Sequence, residues 1–203
     1  MTRRFDAPTL LVATHNDGKL AEIETLLAAY PVALVSAKAL GLAEPAETEK
    51  TFAGNARIKA HAAAKASGLP SLADDSGIEV EALGGAPGVH TADWAETPDG
   101  RDFVLAMTRT WDALEKVVAP EPRRARFRCT LVLAWPDGHD ELFEGKLDGR
   151  CVWPMRGRQG HGYDPMFQPD GHALTLGEMS AEEKNRISHR ADALAKLVAA
   201  CFA

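Results

Sequence analysis

The sequence has little that would mark a secreted, membrane-bound or metal-stabilised protein. Its three cysteines, Cys129, Cys151 and Cys201, form no C-x-x-C pair and no Cys/His cluster, which argues against a zinc site and favours a reducing compartment. No apolar run approaches the roughly 18 residues that a membrane-spanning helix needs. The N-terminal apolar run 9–13 is too short for a signal peptide, so we expect a cytoplasmic protein.

A surplus of positive charge is also missing. The 23 Lys and Arg residues are outnumbered by 29 Asp and Glu residues, giving a net charge of −6, whereas proteins that bind nucleic-acid polymers carry a basic surplus. We therefore expect neither a nucleic-acid polymer nor a membrane among the partners. The 203 residues are enough for a single domain over 1–203, with a core that needs no disulfide.

Strand and helix patterns alternate along the chain. A short strand is predicted over 10–13, followed by a helix with Leu20, Ile23 and Leu27 on one face. An alanine-rich helix is predicted over 51–67, and residues 71–77 are predicted to form a strand that ends in a turn. Residues 124–135 alternate as a strand does and return in a hairpin. The pattern predicts an α/β protein with a mixed central sheet flanked by helices.

The first segment that could carry chemistry is Thr14-His-Asn-Asp-Gly-Lys19, between a strand and the start of a helix. Backbone N–H groups and the positive end of the helix dipole favour anions there. Thr14 and Asn16 add donors, and Lys19 supplies a compact charge suited to phosphate. The segment is neither a G-x-G-x-x-G nor a Walker A loop, so a capped helix with a solvated lysine stays open as the alternative.

The second segment is acidic: Glu47 precedes the second helix, and Asp74-Asp75-Ser76-Gly77 follows at a strand end. Carboxylates that converge at a strand end provide the hard oxygen ligands that Mg²⁺ prefers, and a carboxylate can accept a proton from attacking water. Adjacent strand residues point to opposite faces, so we expect only one of the two aspartates at the site. A plain turn over 74–77 is the alternative.

The third segment lies toward the C-terminus and could hold a ring. His161 or Tyr163 could stack on it, and Gly162 permits close contact with the backbone. Further along, Lys184, His189 and Arg190 could donate hydrogen bonds to carbonyl oxygens. A solvated helix face is the alternative for these basic residues.

Together these segments resemble the inosine/xanthosine triphosphate pyrophosphatases, the RdgB-like house-cleaning nucleotidases. The resemblance runs in order over nearly the whole chain. Its motifs are A-T-x-N-x-x-K at 13–19, E-T-x-x-T-F at 47–52, N-A-x-x-K-A at 55–60, A-D-D-S-G at 73–77, L-G-G-x-P-G at 83–88, G-Y-D-P-x-F at 162–167 and E-K-N-x-I-S-H-R at 183–190.

The resemblance implies a two-lobed mixed α/β fold with an active-site cleft between the lobes, assembled as a homodimer. It also implies Mg²⁺-dependent hydrolysis of the purine nucleoside triphosphates dITP, ITP, XTP and dXTP to a monophosphate and pyrophosphate. Selectivity would rest on the oxygen at purine position 6, which can accept from Arg190 or Lys184, whereas adenine presents an amino donor there.

By position, the resemblance assigns Asp75 as the general base and a metal ligand, and Glu47 as its metal-binding partner. The residues of the first loop, with Ser76, would hold the triphosphate, and the C-terminal residues would hold the base. The full set expected at the substrate is Thr14, His15, Asn16, Asp17, Gly18, Lys19, Ser76, His161, Gly162, Tyr163, Asp164, Lys184, His189 and Arg190.

Two departures from the family pattern concern the site. Gly54 stands where the family has a Glu, so Glu47 must hold the metal without it, and His161 stands where an aromatic residue precedes G-Y-D. Two other functions remain as alternatives: a non-catalytic nucleotide-binding regulator on the same scaffold, and a Maf-type pyrophosphatase with other base preferences. The G-Y-D-P and S-H-R segments argue against the second.

Overall fold

The computed structural model describes residues 2–202. The chain alternates strands and helices, as the sequence predicts. In chain order the elements are β1 (Thr9–Val12), α1 (Asp17–Leu27), β2 (Ala33–Ser36), α2 (Phe52–Ser67), β3 (Ser71–Val80), β4 (Glu96–Thr97), β5 (Gly100–Arg101), α3 (Phe103–Lys116), β6 (Arg124–Ala134), β7 (Asp140–Cys151), β8 (Phe167–Pro169), α4 (Ala181–Ile187) and α5 (His189–Cys201).

Six strands form one sheet in the order β2-β1-β3-β6-β7-β8. β1 pairs in parallel with β2 and β3, and β7 pairs antiparallel with β8. The sheet is therefore mixed, and with its flanking helices it confirms the predicted α/β class. No helix within residues 2–202 combines the length and the apolar character that crossing a membrane requires.

The chain divides into two compact units. Unit 1 comprises residues 1–75, 129–145 and 190–203, and unit 2 comprises residues 76–128 and 146–189.

The sheet of unit 1 carries helices on both faces, and the alternation of its strand residues decides which helix each side chain meets. Leu10, Val12 and Leu72 pack with residues of α1 and α5. Their odd-numbered neighbours Leu11 and Ala73 pack instead against α2. This side of α2 is lined by small buried side chains, because its inward stripe contains Ala56, Ala60, Ala63 and Ala64.

β3 is longer than the sequence predicts. The turn predicted to end the strand 71–77 is wrong, and so is the alternative of a plain turn over 74–77, because β3 runs without interruption from Ser71 to Val80. The Asp-Asp-Ser-Gly composition is typical of turns, but pairing within the sheet overrides so local a preference.

Unit 2 has its own hydrophobic core, to which Ile78, Met107, Phe127, Tyr163 and Phe167 contribute. The predicted capping box opens α4: Ser180 Oγ accepts the Glu183 N–H, and the Glu183 side chain accepts the Ser180 N–H. The arginines at the start of β6 are ion-paired on the outer face, Arg124 with Asp170 and Arg126 with Asp148.

Candidate active site

The loop between β1 and α1 is shaped by its own side chains. Asn16 is the N-cap of α1, and its Oδ1 accepts the Lys19 N–H at 3.0 Å. Thr14 Oγ1 in turn accepts the Asn16 N–H at 3.2 Å. Residues 16–18 are exposed, so the positive end of the α1 dipole lies open to an anion.

Asp74, which sequence analysis assigned no role, is held by two cations. Its Oδ2 lies 3.0 Å from Lys19 Nζ and 3.0 Å from Arg190 Nη2. The Arg190 guanidinium also contacts the carboxylate of Glu22 on α1. Burial alone would raise the pKa of Asp74, but the charges of Lys19 and Arg190 outweigh it and hold that pKa well below its ordinary value. Asp74 is therefore a permanent anion in the interior of unit 1.

Asp75 points to the opposite face, as the alternation of a strand requires. Lys59 of α2 lies between two carboxylates there, with its Nζ 2.6 Å from Glu47 Oε1 and 3.8 Å from Asp75 Oδ1. Burial raises the pKa of Asp75 to about 6, and the nearby charge of Glu47 adds to this against the opposing effect of Lys59. A carboxyl with such a pKa can accept a proton near neutral pH and release it again.

Lys59 itself stays charged. Burial by itself would lower its pKa, but the negative charges of Asp74, Asp75 and Glu47 overcome this and raise it. The ammonium therefore holds two carboxylates close together that would otherwise repel each other.

The donor set on this face fits a magnesium ion that also uses substrate oxygens. Within residues 2–202, no three His, Cys, Asp or Glu side chains cluster so as to hold a metal ion alone. Mg²⁺ is commonly bound by only one or two carboxylates, with waters and phosphates completing its shell. Glu47 and Asp75 meet that need, because both approach one cation, the Lys59 ammonium.

In unit 2, Asp164 organises the loop that was predicted to hold a base. Its Oδ2 accepts the His161 N–H at 2.8 Å and lies 2.6 Å from Lys184 Nζ. Gly160 makes this possible, because its φ is +72° and a Cβ at that position would lie 2.0 Å from the Asp164 carboxylate. The buried Lys184–Asp164 pair therefore fixes both the loop and the ammonium group.

Two aromatic contacts position the other residues of this group. The His189 ring stacks on Phe127 with the centroids 4.8 Å apart, and both are buried. The Tyr163 ring packs edge-on against Phe103 in the core, whereas His161 is exposed. Of the two rings predicted to stack on a base, only that of His161 is therefore exposed to solvent.

The sequence-predicted residues thus fall into two groups. Unit 1 contains the loop 14–19, Glu47, Asp75 and Arg190, with Arg190 beside Asp74 on the opposite face of β3 from Asp75. Unit 2 brings together 161–164 with Lys184. Ser76 is half-buried in β3, and His189 lies against Phe127.

Lys59 is not among the residues predicted from the sequence, although its position in α2 carries a signal. Phe52, Asn55, Ala56, Lys59 and Ala60 form one inward stripe of α2. A lysine within a buried, mostly apolar stripe needs a buried anion, and this could have indicated Glu47 or Asp75 as its partner.

The fold and this site define a mixed α/β protein with a carboxylate centre and an open anion-binding loop in the same unit. The Ham1 family model matches residues 10–200, and the chain belongs to this family. It is 64% identical over 202 residues to the dITP/XTP pyrophosphatase of Ruegeria pomeroyi, covering 100% of this chain and 99% of that protein. It is 53% identical to the dITP/XTP pyrophosphatase of Agrobacterium fabrum, covering 98% and 99% of the two chains.

Solved structures agree with the family assignment. A HAM1 protein from Coxiella burnetii superposes with a TM-score of 0.87 at 34% identity, covering 95% of this chain and 98% of that one. The nucleoside-triphosphatase / dITP/XTP pyrophosphatase of Mycobacterium abscessus gives a TM-score of 0.75 at 37% identity, covering 94% and 98%.

Proposed function

We propose that this chain is a nucleoside-triphosphate pyrophosphatase that hydrolyses dITP, ITP, XTP and dXTP to the monophosphate and pyrophosphate. The observation that carries the proposal is the pair formed by Asp75 and Glu47, which share the Lys59 ammonium. Lys59 and His15 of the loop 14–19 line a common cavity. Sequence identity of 64% to a dITP/XTP pyrophosphatase supports the same reaction.

In the proposed reaction the loop 14–19 binds the triphosphate through the N-terminus of α1, the Thr14 hydroxyl and the Lys19 ammonium. Asp75 accepts a proton from a water whose oxygen bonds to the α-phosphorus. The bond from that phosphorus to the α–β bridging oxygen breaks, pyrophosphate leaves with that oxygen, and the nucleoside monophosphate remains. Glu47 and Asp75 would hold Mg²⁺, which when bound neutralises the negative charge that develops on the phosphate oxygens. Lys59 keeps both carboxylates in place through the reaction.

The base would be recognised by residues of unit 2. The Asp164–Lys184 pair fixes an ammonium that can donate to an oxygen at purine position 6. An amino group at that position, as in adenine, would leave a buried donor without its acceptor, and a site of this kind can discriminate by about 10⁴ or more. His161 would stack on the base, and Ser76 and His189 would complete the substrate site.

We further propose that the enzyme acts as a cytoplasmic homodimer that removes deaminated purine nucleotides from precursor pools. No nucleic-acid polymer and no membrane are among its proposed partners, in keeping with the net charge of −6.

The test is pyrophosphate release from dITP, XTP, dGTP and dATP measured in parallel with Mg²⁺, with EDTA as the control. We expect fast, metal-dependent release from dITP and XTP and slow release from the other two. Orthophosphate as the first product would contradict the proposed bond cleavage. Tight binding of dITP without turnover would favour the non-catalytic regulator instead.

A further inference from the structure

The segment that carries Glu47 has no regular structure of its own. Residues 42–49 form neither helix nor strand, so side chains from other elements must hold them in place. At its C-terminal end the Glu49 N–H donates to Asn55 Oδ1 at 2.9 Å. Glu47 itself is held by Lys59, so α2 fixes this end of the segment twice.

The N-terminal end of the segment is held by His15. Its Nε2 lies 2.9 Å from the backbone carbonyl oxygen of Leu42. A carbonyl oxygen only accepts hydrogen bonds, so the Nε2 atom must carry the hydrogen. This bond joins the loop 14–19 to the segment 42–49 across 27 positions of sequence.

The two segments also pack closely around this bond. His15, Leu42, Pro45 and Lys59 line a common cavity of about 10 Å³, which is at or below the space that one water molecule needs. Movement of His15 would leave the Leu42 carbonyl without this donor.

We propose that His15 is a positioning residue, whose imidazole anchors the Glu47 segment to the triphosphate-binding loop. The proposal rests on the proposed function and links two parts of it, triphosphate binding by the loop 14–19 and metal binding by Glu47. The backbone of the loop contacts the phosphates, while the His15 side chain sets where Glu47 stands relative to them. Loss of this hydrogen bond should raise the Mg²⁺ concentration needed for activity more than it raises KM for the nucleotide.

Two variants of His15 test this, with a third as the matched control. His15→Phe keeps a planar ring but removes the donor, whereas His15→Gln retains an N–H group of comparable reach. Lys38→Met removes a different, exposed contact of the loop 14–19, in which Lys38 Nζ lies 3.1 Å from Asp17. Exposed pairs of this kind contribute little.

The first readout needs no catalysis: the rate at which a glutamate-specific protease cuts after Glu47 or Glu49. Cleavage reports how often the segment opens. We expect cleavage to be about three- to tenfold faster in His15→Phe, the factor expected for one lost hydrogen bond. His15→Gln and Lys38→Met should be cut at the parental rate.

The second readout is the Mg²⁺ concentration that gives half-maximal pyrophosphate release at saturating dITP. It should rise about three- to tenfold in His15→Phe, with KM for dITP changed less than twofold and with rescue in His15→Gln. Parental cleavage in His15→Phe, or equal damage in His15→Gln, would overturn the anchoring role. An inactive parent would instead refute the proposed function, and the protease result would still decide the role of His15.

Discussion

Asp74 and Asp75 are neighbours in β3, yet the two faces of the sheet give them opposite properties. On one face Asp74 meets Lys19 and Arg190, and its pKa falls well below the ordinary value. On the other face burial dominates, and the pKa of Asp75 rises to about 6 although Lys59 lies close by. The difference between the two pKa values follows from the cations that each carboxylate contacts. Asp74 contacts two cations, whereas Asp75 shares Lys59 with Glu47.

This contrast distinguishes Asp74, a carboxylate that stabilises the structure, from Asp75, a carboxylate that can exchange a proton. Titratable neighbours whose pKa values are pushed apart are typical of sites that need one fixed charge and one proton acceptor. Asp74 fixes Lys19 and Arg190 within unit 1, while Asp75 can change its protonation state. Substitution of each aspartate should therefore damage a different property.

The largest effect is expected from Asp75→Asn, measured as turnover of dITP. The variant keeps the shape of the side chain but cannot accept a proton, so kcat should fall by at least about a hundredfold. The circular dichroism spectrum should match that of the parent. A variant within tenfold of the parental kcat would remove Asp75 from the base role.

A smaller effect, and one on stability, is expected from Asp74→Asn. Removing one partner from a buried ion pair leaves an uncompensated charge, so the free energy of unfolding should fall by about 3 kcal/mol. Urea denaturation at pH 7.5 measures this, with Asp75→Asn as the matched control. Equal stability of the two variants would show that the faces of β3 do not differ as described.

The smallest effect is a pH dependence of stability that distinguishes Asp75 from its neighbour. Because the pKa of Asp75 is about 6 in the folded chain against an ordinary value of 3.8, its contribution favours folding below pH 4. That contribution is lost as the pH rises to about 6. Asp75→Asn should therefore match the parent near pH 4 and exceed its unfolding free energy at pH 7 by roughly 2 kcal/mol.

Denaturation in EDTA across this range measures the difference without interference from a bound cation. The contribution of Asp74 to stability depends on pH in the opposite direction, because its lowered pKa adds stability above pH 4 that is lost at lower pH. A difference between the parent and Asp75→Asn that does not change with pH would contradict the raised pKa of Asp75.

Local patterns in the sequence predicted much of this arrangement. Strand alternation predicted that Asp74 and Asp75 face opposite ways, and the faces that Leu72 and Ala73 occupy agree. Helix starts were also predictable, since Ser180 and Glu183 form the capping box within four residues. The prediction that the strand 71–77 ends in a turn is wrong, because composition says nothing about the strands on either side of β3.

Contacts across long stretches of sequence could not be predicted in this way. Arg190 meets Glu22 and Asp74, which are 168 and 116 positions away. The sequence marks Arg190 as a hydrogen-bond donor, but nothing in it distinguishes a contact with a base from a contact with a buried carboxylate. His15 was assigned to the substrate for the same reason, because the Leu42 carbonyl that it meets is a backbone group with no signature in the sequence.

The small side chains of α2 act as a spacer that sets the reach of Lys59. A helix approaches a sheet closely only where its inward residues are small, and Ala56, Ala60 and Ala63 provide that closeness. A lysine has a fixed length, so the thickness of this alanine layer decides whether its ammonium arrives at Glu47 and Asp75. The volume of these alanine side chains therefore affects the charge balance of the site, although they lie away from the reacting atoms. Replacing one of them with a larger side chain would shift the Lys59 ammonium relative to Glu47 and Asp75 without changing any polar residue.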